Sequence, residues 1–563
     1  MNYSIKRNKG LLIFAMLLNV ITAVASVFIA KLLQKIIDLA ITGDMISFQR
    51  ILVITVLYII ILGLLTYWSS LIGKKLICKL TKTLRERVFY GIVQRNMQNF
   101  GRDNSADYIS ALTNDIKLIE ENYFAPALVT LQYIVIFLVT CIMLFQISPF
   151  ITACLFFCMI LMLVLPGLIG NRMQARQDEL SKQLSMFTSK LKDFFSGFEV
   201  IKSYRMELPI KKEFNEKNHI LTEAKYRADK LLALNEGISG IFAYLTQLSG
   251  LFLGAYMIIQ GKMSLGTLVA VVQLSGTFIS PVMIILQNIP LLQGIKPVIA
   301  RMSNLENFTD QSFQGRNNPS LQKGIEVKEL NFSYDQEKPV IRDVTLQIEQ
   351  GKKYAIVGKS GCGKTTFVKL LTGNLSEYSG IIRYDNNELH ELDMEELQNM
   401  ISVIQQNVYI FDSTIQHNIT LYQSYEQQEL EEALQMSGAD QFLEKIPEGM
   451  LSLAGENGAS LSGGQRQRIA VARALIRKKR MLVLDEGTSA VDMQTAYDIE
   501  HRLLDMGDLT LITITHKLSD ELLKLYDYII YMEDGRIEEV GSLEELINNN
   551  AGFLQFYTLQ QYE

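Results

Sequence analysis

The sequence predicts a multidomain protein. An all-α N-terminal half crosses a membrane six times, and an α/β domain built around a phosphate-binding loop follows it. Three observations carry this. Apolar stretches of membrane-spanning length crowd the first 300 residues. Residues 358–365 fit the pattern G-x-x-x-x-G-K-S/T. An apolar run at 481–484 ends on the adjacent carboxylates Asp485 and Glu486. At 563 residues the chain is too long for a single domain.

Six apolar stretches fall near 11–37, 51–73, 124–147, 149–170, 232–260 and 264–292. Each is near or above the roughly 20 residues that cross about 30 Å of hydrocarbon. Asn19, Gln132, Gln247 and Gln273 interrupt them, and acidic residues are nearly absent from their cores. The first stretch is too long for a cleaved signal peptide and lacks a small-residue cleavage site, so it reads as a permanent crossing.

Basic residues set the orientation. The polar loops 74–123 and 171–231 hold 9 and 13 Lys and Arg, whereas the short connections near 40–50 and 260–263 hold one each. Positive residues stay cytoplasmic. Both termini and both long loops are therefore expected inside, which places the C-terminal domain in the cytoplasm and the chain in the plasma membrane. The long loops have few helix breakers. Folded into two antiparallel arms, the 61 residues of 171–231 give helices of about 40–45 Å at 1.5 Å per residue. A short crossing helix is expected at each turn, near 102–112 and 204–214. Polar, aperiodic residues at 301–324 read as a linker between a domain at 1–300 and one at 325–563.

The phosphate loop has a direct physical reading. Residues 354–357 form the strand that feeds it, and 366–371 the helix whose N-terminus faces an anion. Glycines at 358, 361 and 363 let backbone N–H groups curl around a polyphosphate, with Ser360 and Cys362 between them. Lys364 is placed to reach the terminal phosphates and the Thr365 hydroxyl to ligate Mg²⁺. Asp485 then holds the metal through water, and Glu486 polarises the attacking water.

Residues 325–545 resemble the nucleotide-binding domain of an ABC transporter, and Leu461 to Gln465 reproduces that family's signature peptide. The whole chain resembles a half-transporter of the six-helix exporter type. The resemblance implies an antiparallel β subdomain and a helical subdomain beside the ATPase core. It implies ATP and Mg²⁺ as cofactors. Tyr334 matches the aromatic that stacks on adenine, and Thr366 extends the phosphate loop. Gln406, favoured over its neighbour Gln405 by its spacing to Phe411, matches the glutamine that senses Mg²⁺ and the lytic water. Ser462, Gly463, Gly464 and Gln465 match the tip that contacts ATP held by a second subunit. Asp492 matches the loop facing that subunit, Glu456 the segment that touches the membrane domain, and His516 the histidine that contacts the γ-phosphate. Gly487 and Ile404 depart from the family's usual residues, at positions that carry no chemistry.

The resemblance also implies an obligate dimer of two half-transporters, identical or related, in a lipid bilayer, with no nucleic acid partner. The expected activity is ATP-driven transport by alternating access, most simply export of a peptide, lipid or amphipathic small molecule. An importer of a metal chelate such as a siderophore is the alternative, and an ATP-gated channel or regulator a weaker one. Glutamines and asparagines at 132, 247, 273, 287, 288 and 293 either face cargo or join helices by hydrogen bonds. A cysteine in the phosphate loop suggests that thiol reagents disturb ATP binding.

Overall fold

The computed structural model describes residues 2–561 except 96, 103, 307–314, 335–337, 517, 518 and 550; for 2, 102, 162, 163, 165–171, 560 and 561 it describes the backbone alone. Part of the expected linker, 307–314, therefore lies outside the described residues. The chain divides into two compact units. One comprises Met1–Gly91 with Ser105–Asn307, the other Ile92–Asn104 with Phe308–Glu563.

The first unit is all helix. Its long helices are Lys9–Thr42, Met45–Val93, Ser105–Ile147, Pro149–Ser196, Glu207–Ile259 and Leu265–Gly294. All but Pro149–Ser196 are long and apolar enough, among the described residues, to cross a membrane; of the expected span 149–170, Pro149–Leu161 is described as an apolar helix. Local chemistry sets the ends. Ser148 caps its helix by accepting from the Ile151 amide, with Pro149 at the first helical position. Ser264 caps the next turn into the membrane by accepting from the Thr267 amide. Gly43, left-handed at φ 73°, ends Lys9–Thr42.

Phe137, Phe156 and Phe278 pack ring to ring at 5.1–6.2 Å, joining three helices in one apolar cluster with Val27, Leu144 and Ile151. The apolar middle of helix Met45–Val93 is largely exposed, whereas Leu76, Leu80, Leu84 and Val88 farther along it are buried. One tie is the Tyr58 hydroxyl, which donates to the Ala25 carbonyl at 2.6 Å. The Asn288 amide donates to Thr130 Oγ1 at 3.0 Å, which assigns it to helix joining.

Pro149–Ser196 and Glu207–Ile259 run alongside one another as the expected arms, pinned by Lys190 and Glu213 at 3.1 Å and by Phe187 against Phe214. The short helices at the turns lie earlier than expected. They are Met97–Arg102 and Phe198–Ser203, not 102–112 and 204–214. Arg205 takes a left-handed φ of 52° and breaks the helix there, so Glu207 already starts the returning arm. Ser105 likewise opens the next long helix, which two π-helical turns interrupt at Ala111–Asp115 and Glu120–Phe124.

The second unit contains two sheets. Strands β1 (Gly324–Ser333), β2 (Pro339–Glu349), β4 (Ser379–Tyr384) and β5 (Asn387–Glu388) form an antiparallel sheet in the order β2-β1-β4-β5. Strands β3 (Lys353–Val357), β6 (Ile401–Ile404), β7 (Met481–Asp485), β8 (Thr510–Ile514), β9 (Tyr528–Glu533) and β10 (Arg536–Gly541) form the other, in the order β10-β9-β3-β8-β7-β6. Every pairing in it is parallel except β9 with β10. β3, β7 and β8 are buried at every residue, as strands covered on both faces must be. Helices between 415 and 475 gather around Ile419, Leu430, Phe442 and Ile469 as a separate helical core. This is the expected pairing of a helical membrane half with an α/β ATPase half. Within the same unit Gln98 Oε1 accepts from the amide and hydroxyl of Ser376.

Fully buried Tyr384 donates its hydroxyl to the Leu371 carbonyl at 2.8 Å, tying the antiparallel sheet to the helix after the phosphate loop. Tyr384→Phe should lower stability by about 1–2 kcal/mol, because it leaves that carbonyl unpaired. Thermal unfolding of the variant against the parent checks this.

Candidate active site

The site is assembled at the carboxyl ends of the parallel strands. β3 delivers the phosphate loop. Gly358 has φ 150° and Gly363 φ 107°, and a Cβ on either would strike backbone, Met532 O at 2.2 Å or Val340 O at 3.0 Å. Gly361 faces open space, so the loop leaves room on its inner side. Helix Lys364–Leu371 starts directly from it. The Lys364 ammonium donates to the carbonyls of Gly358 and Lys359 at 2.8 and 2.9 Å, across the mouth of the loop. Ser360 lies in the loop beside it, and Thr366 shares a 3.3 Å hydroxyl contact with Tyr334. The Tyr334 ring, half exposed, stands edge-on to Phe332 at the rim.

β7 delivers the carboxylates. Thr365 donates its hydroxyl to Asp485 Oδ1 at 3.1 Å. Burial raises the Asp485 carboxyl above the usual carboxylate range, and the Thr365 bond partly offsets this. A hydroxyl and a carboxylate so paired are oxygen donors of the kind Mg²⁺ takes. No cluster of three His, Cys, Asp or Glu exists among the described residues.

Glu486 sits one residue past the strand with a left-handed φ of 52°, unusual for a residue with a side chain. Its amide donates to the Ile514 carbonyl at 3.1 Å, which fixes the turn. Both carboxylate oxygens are held from above. Gln406 donates to Oε2 at 2.6 Å, and His516 Nε2 lies 3.0 Å from Oε1. β6 and β8 supply those partners from their own ends. Gln406, not Gln405, therefore faces the carboxylate.

The signature residues stand elsewhere. Ser462 caps helix Gly463–Leu475: its hydroxyl accepts from the Gln465 amide, and Gln465 reciprocates on the Ser462 amide at 2.8 Å. Gly464 lies where a Cβ would meet Ala490 O at 3.0 Å. Among the described residues no hydrogen bond joins 462–465 to the chain's own phosphate loop. Asp492 caps helix Met493–Leu504, and the Thr495 backbone bond holds its carboxyl below the usual range. Glu456 occupies a one-turn helix, Glu456–Gly458.

One positioning residue escaped the sequence reading. Buried Gln467 accepts from the Ala490 amide at 2.8 Å and donates to Ser489 Oγ at 3.1 Å and to the Glu486 carbonyl at 3.5 Å. It ties the signature helix to the segment after the catalytic carboxylate. Its position one turn past Ser462 was visible, but its inward direction was not. Gln467→Leu should reduce kcat about tenfold through misplacement of 486–490, with ATP affinity unchanged; ATPase assays beside nucleotide-binding titrations check both halves.

Cys362 is buried, and burial raises its thiol pKa although the Lys364 charge opposes the shift. The thiolate fraction at neutral pH is therefore below that of an ordinary cysteine. Alkylation at pH 7 should run at least about tenfold slower than in the denatured chain and accelerate as pH rises. Peptide mapping after timed labelling checks this.

Residues 12–282 match the family described as ABC transporter transmembrane region, and residues 341–489 match ABC transporter. An ATP-dependent lipid A-core flippase of Vibrio vulnificus is 26% identical over 99% of this chain and 96% of its own. The exotoxin translocation ATP-binding protein PaxB of Pasteurella aerogenes is 34% identical over 60% of this chain, and the match spans 48% of that longer protein. A bacterial Atm1-family ABC exporter, solved with ATP bound, superposes with a TM-score of 0.82 at 20% identity, covering 100% of this chain and 99% of that one. The membrane-region and ATPase matches lie in one polypeptide, behind a strand-end cluster equipped to bind and split ATP; the chain is a multi-pass membrane protein of the ABC transporter family, an ATPase coupled to translocation.

Proposed function

We propose that two copies of this chain, or one copy and a related partner, form an exporter that sandwiches two MgATP between their ATPase units. The observation that carries this is the pairing of a fully held Glu486 with a signature tip turned to other business in its own chain. Ser462 and Gly464 are built as an anion-binding helix N-terminus, yet among the described residues they make no hydrogen bond to the local phosphate loop. A second subunit's triphosphate is the partner that the family's geometry offers them.

In this reading Lys364 leaves the loop carbonyls for the phosphates, and Tyr334 flanks the adenine. Thr365 and Asp485, with Gln406, hold Mg²⁺, which supplies charge neutralisation on the phosphate oxygens when bound. Glu486, oriented by Gln406 and His516, takes the proton of the attacking water. Asp492 and its loop face the other subunit. ATP drives the change of access only because it prefers the clasped state. The ATPase unit lies in the cytoplasm, consistent with the basic loops.

Lipid or peptide cargo is favoured over metal chelates, since the relatives are named for lipid A-core flipping and exotoxin translocation. Outward movement follows from the same names, and nothing favours the importer reading. Substrate-stimulated ATPase with a panel of lipids, peptides, drugs and metal chelates identifies the class. Glu486→Gln should reduce kcat on the order of 100-fold or more while ATP binding persists, and the parent should show rate per chain rising with protein concentration. Full turnover by a verified monomer would refute the sandwich.

A further inference from the structure

The first unit holds a crevice of about 290 Å³ between helices Lys9–Thr42, Met45–Val93 and Ser105–Ile147. Its wall on the second helix is a polar stripe. Thr66, Ser69, Ser70, Gly73 and Lys74 recur at spacings of three and four, so they share one helical face. The other faces of that stretch carry Leu64, Tyr67, Trp68 and Leu71, all exposed. A helix in hydrocarbon turns such a stripe away from lipid tails unless a polar partner meets it. Here it faces a crevice rather than packed protein.

The donors in the crevice are largely unspent. Asn19 uses its amide to hold the Leu128 carbonyl at 3.1 Å, and Thr66 bonds back to Leu62. Ser69, Ser70, Lys74 and Gln132 make no side-chain hydrogen bond or ion pair among the described residues. Among the described residues no acidic side chain lines the crevice. Lys74 brings three donors and a positive charge to a wall of hydroxyls and amides. That set is complementary to a multidentate anion with hydrogen-bond acceptors, and a phosphodiester supplies both.

Height selects the source. Lys74 follows directly on the apolar run 51–73 at its expected cytoplasmic end, and Thr66 lies about 12 Å deeper at 1.5 Å per residue. Asn19 and Gln132 belong to the cytoplasmic halves of the other two helices in the same orientation. The edge-on aromatic pair Tyr67 and Trp68, 5.9 Å apart, lies about 10 Å deeper than Lys74, within the apolar run. We infer that this crevice binds the phosphate headgroup of an anionic phospholipid from the cytoplasmic leaflet, with Lys74 as its counter-ion and Ser69, Ser70 and Gln132 as its donors. The inference rests on the membrane orientation proposed above and not on the identity of the cargo.

Native mass spectrometry of the full chain, purified in detergent without nucleotide and titrated with phosphatidylglycerol, tests it. Diacylglycerol of the same acyl chains is the comparison. The parent should retain phosphatidylglycerol at least about tenfold more tightly than diacylglycerol. Lys74→Ala should lose about tenfold, since a hydrogen bond to a charged group is lost. Lys74→Arg should restore binding, and Lys75→Ala, which removes a neighbouring charge outside the crevice, should change nothing. Ser69→Ala with Ser70→Ala should weaken retention without altering net charge, which covers the case of a misfolded Lys74 variant. Equal retention by the parent and Lys74→Ala, or an equal loss in Lys75→Ala, overturns the site. Displacement of the lipid by millimolar inorganic phosphate overturns the lipid source in favour of a soluble anion. Because binding is read without turnover, its failure is distinct from failure of the transport reading, which the Glu486 variant decides.

Discussion

Four parallel strands end at one edge of one sheet, and the reacting groups hang from those ends. β3 ends in the phosphate loop, β7 in Asp485 and Glu486, β8 in Thr515 and His516, and β6 in Gln405 and Gln406. Ligands settle at the carboxyl edge of such sheets because loops of different strands converge there. The constraint is severe, since β3, β7 and β8 are buried at every residue and a slip by one position would carry Asp485 and Glu486 away from Thr365, Gln406 and His516. Register in the core therefore sets the 2.6 and 3.0 Å contacts at Glu486.

The same edge shows how polar groups are tolerated beside a dry core. Asp485 keeps a raised pKa because its surroundings penalise the charge, and the Thr365 hydroxyl only partly compensates. A cation arriving there meets a carboxylate that gains by being neutralised. Lys353, at the start of β3, shows the opposite solution. Its buried ammonium is satisfied by the carbonyls of Gly351, Met506 and Leu509, at the end of the sheet remote from the chemistry.

Much of this was readable from the chain alone, for identifiable reasons. The phosphate loop, the carboxylate pair and the signature peptide are contiguous, and their chemistry depends on residues a few positions apart. The helical membrane half declared itself through stretches long enough to cross hydrocarbon. The turns of the arms were misplaced by about five residues, because a left-handed Arg205 ends the short helix and nothing in an arginine announces that. Spacing already favoured Gln406 over Gln405, and the strand end brings Gln406 onto Glu486, whereas Gln467 needed the direction of a side chain on a helix. Asn288 illustrates the remaining ambiguity. An amide in a membrane helix looks alike whether it meets cargo or Thr130, and coordinates alone separate the two.

The capping of Ser462 has a consequence for specificity. One lone pair of its oxygen accepts from the Gln465 amide, which orients the hydroxyl and leaves its hydrogen free to donate. That hydrogen joins the amides of Gly463 and Gly464 as donors at the helix N-terminus. Such a tip favours an oxyanion over a cation. A preference for anionic groups is thus written into the way the helix begins.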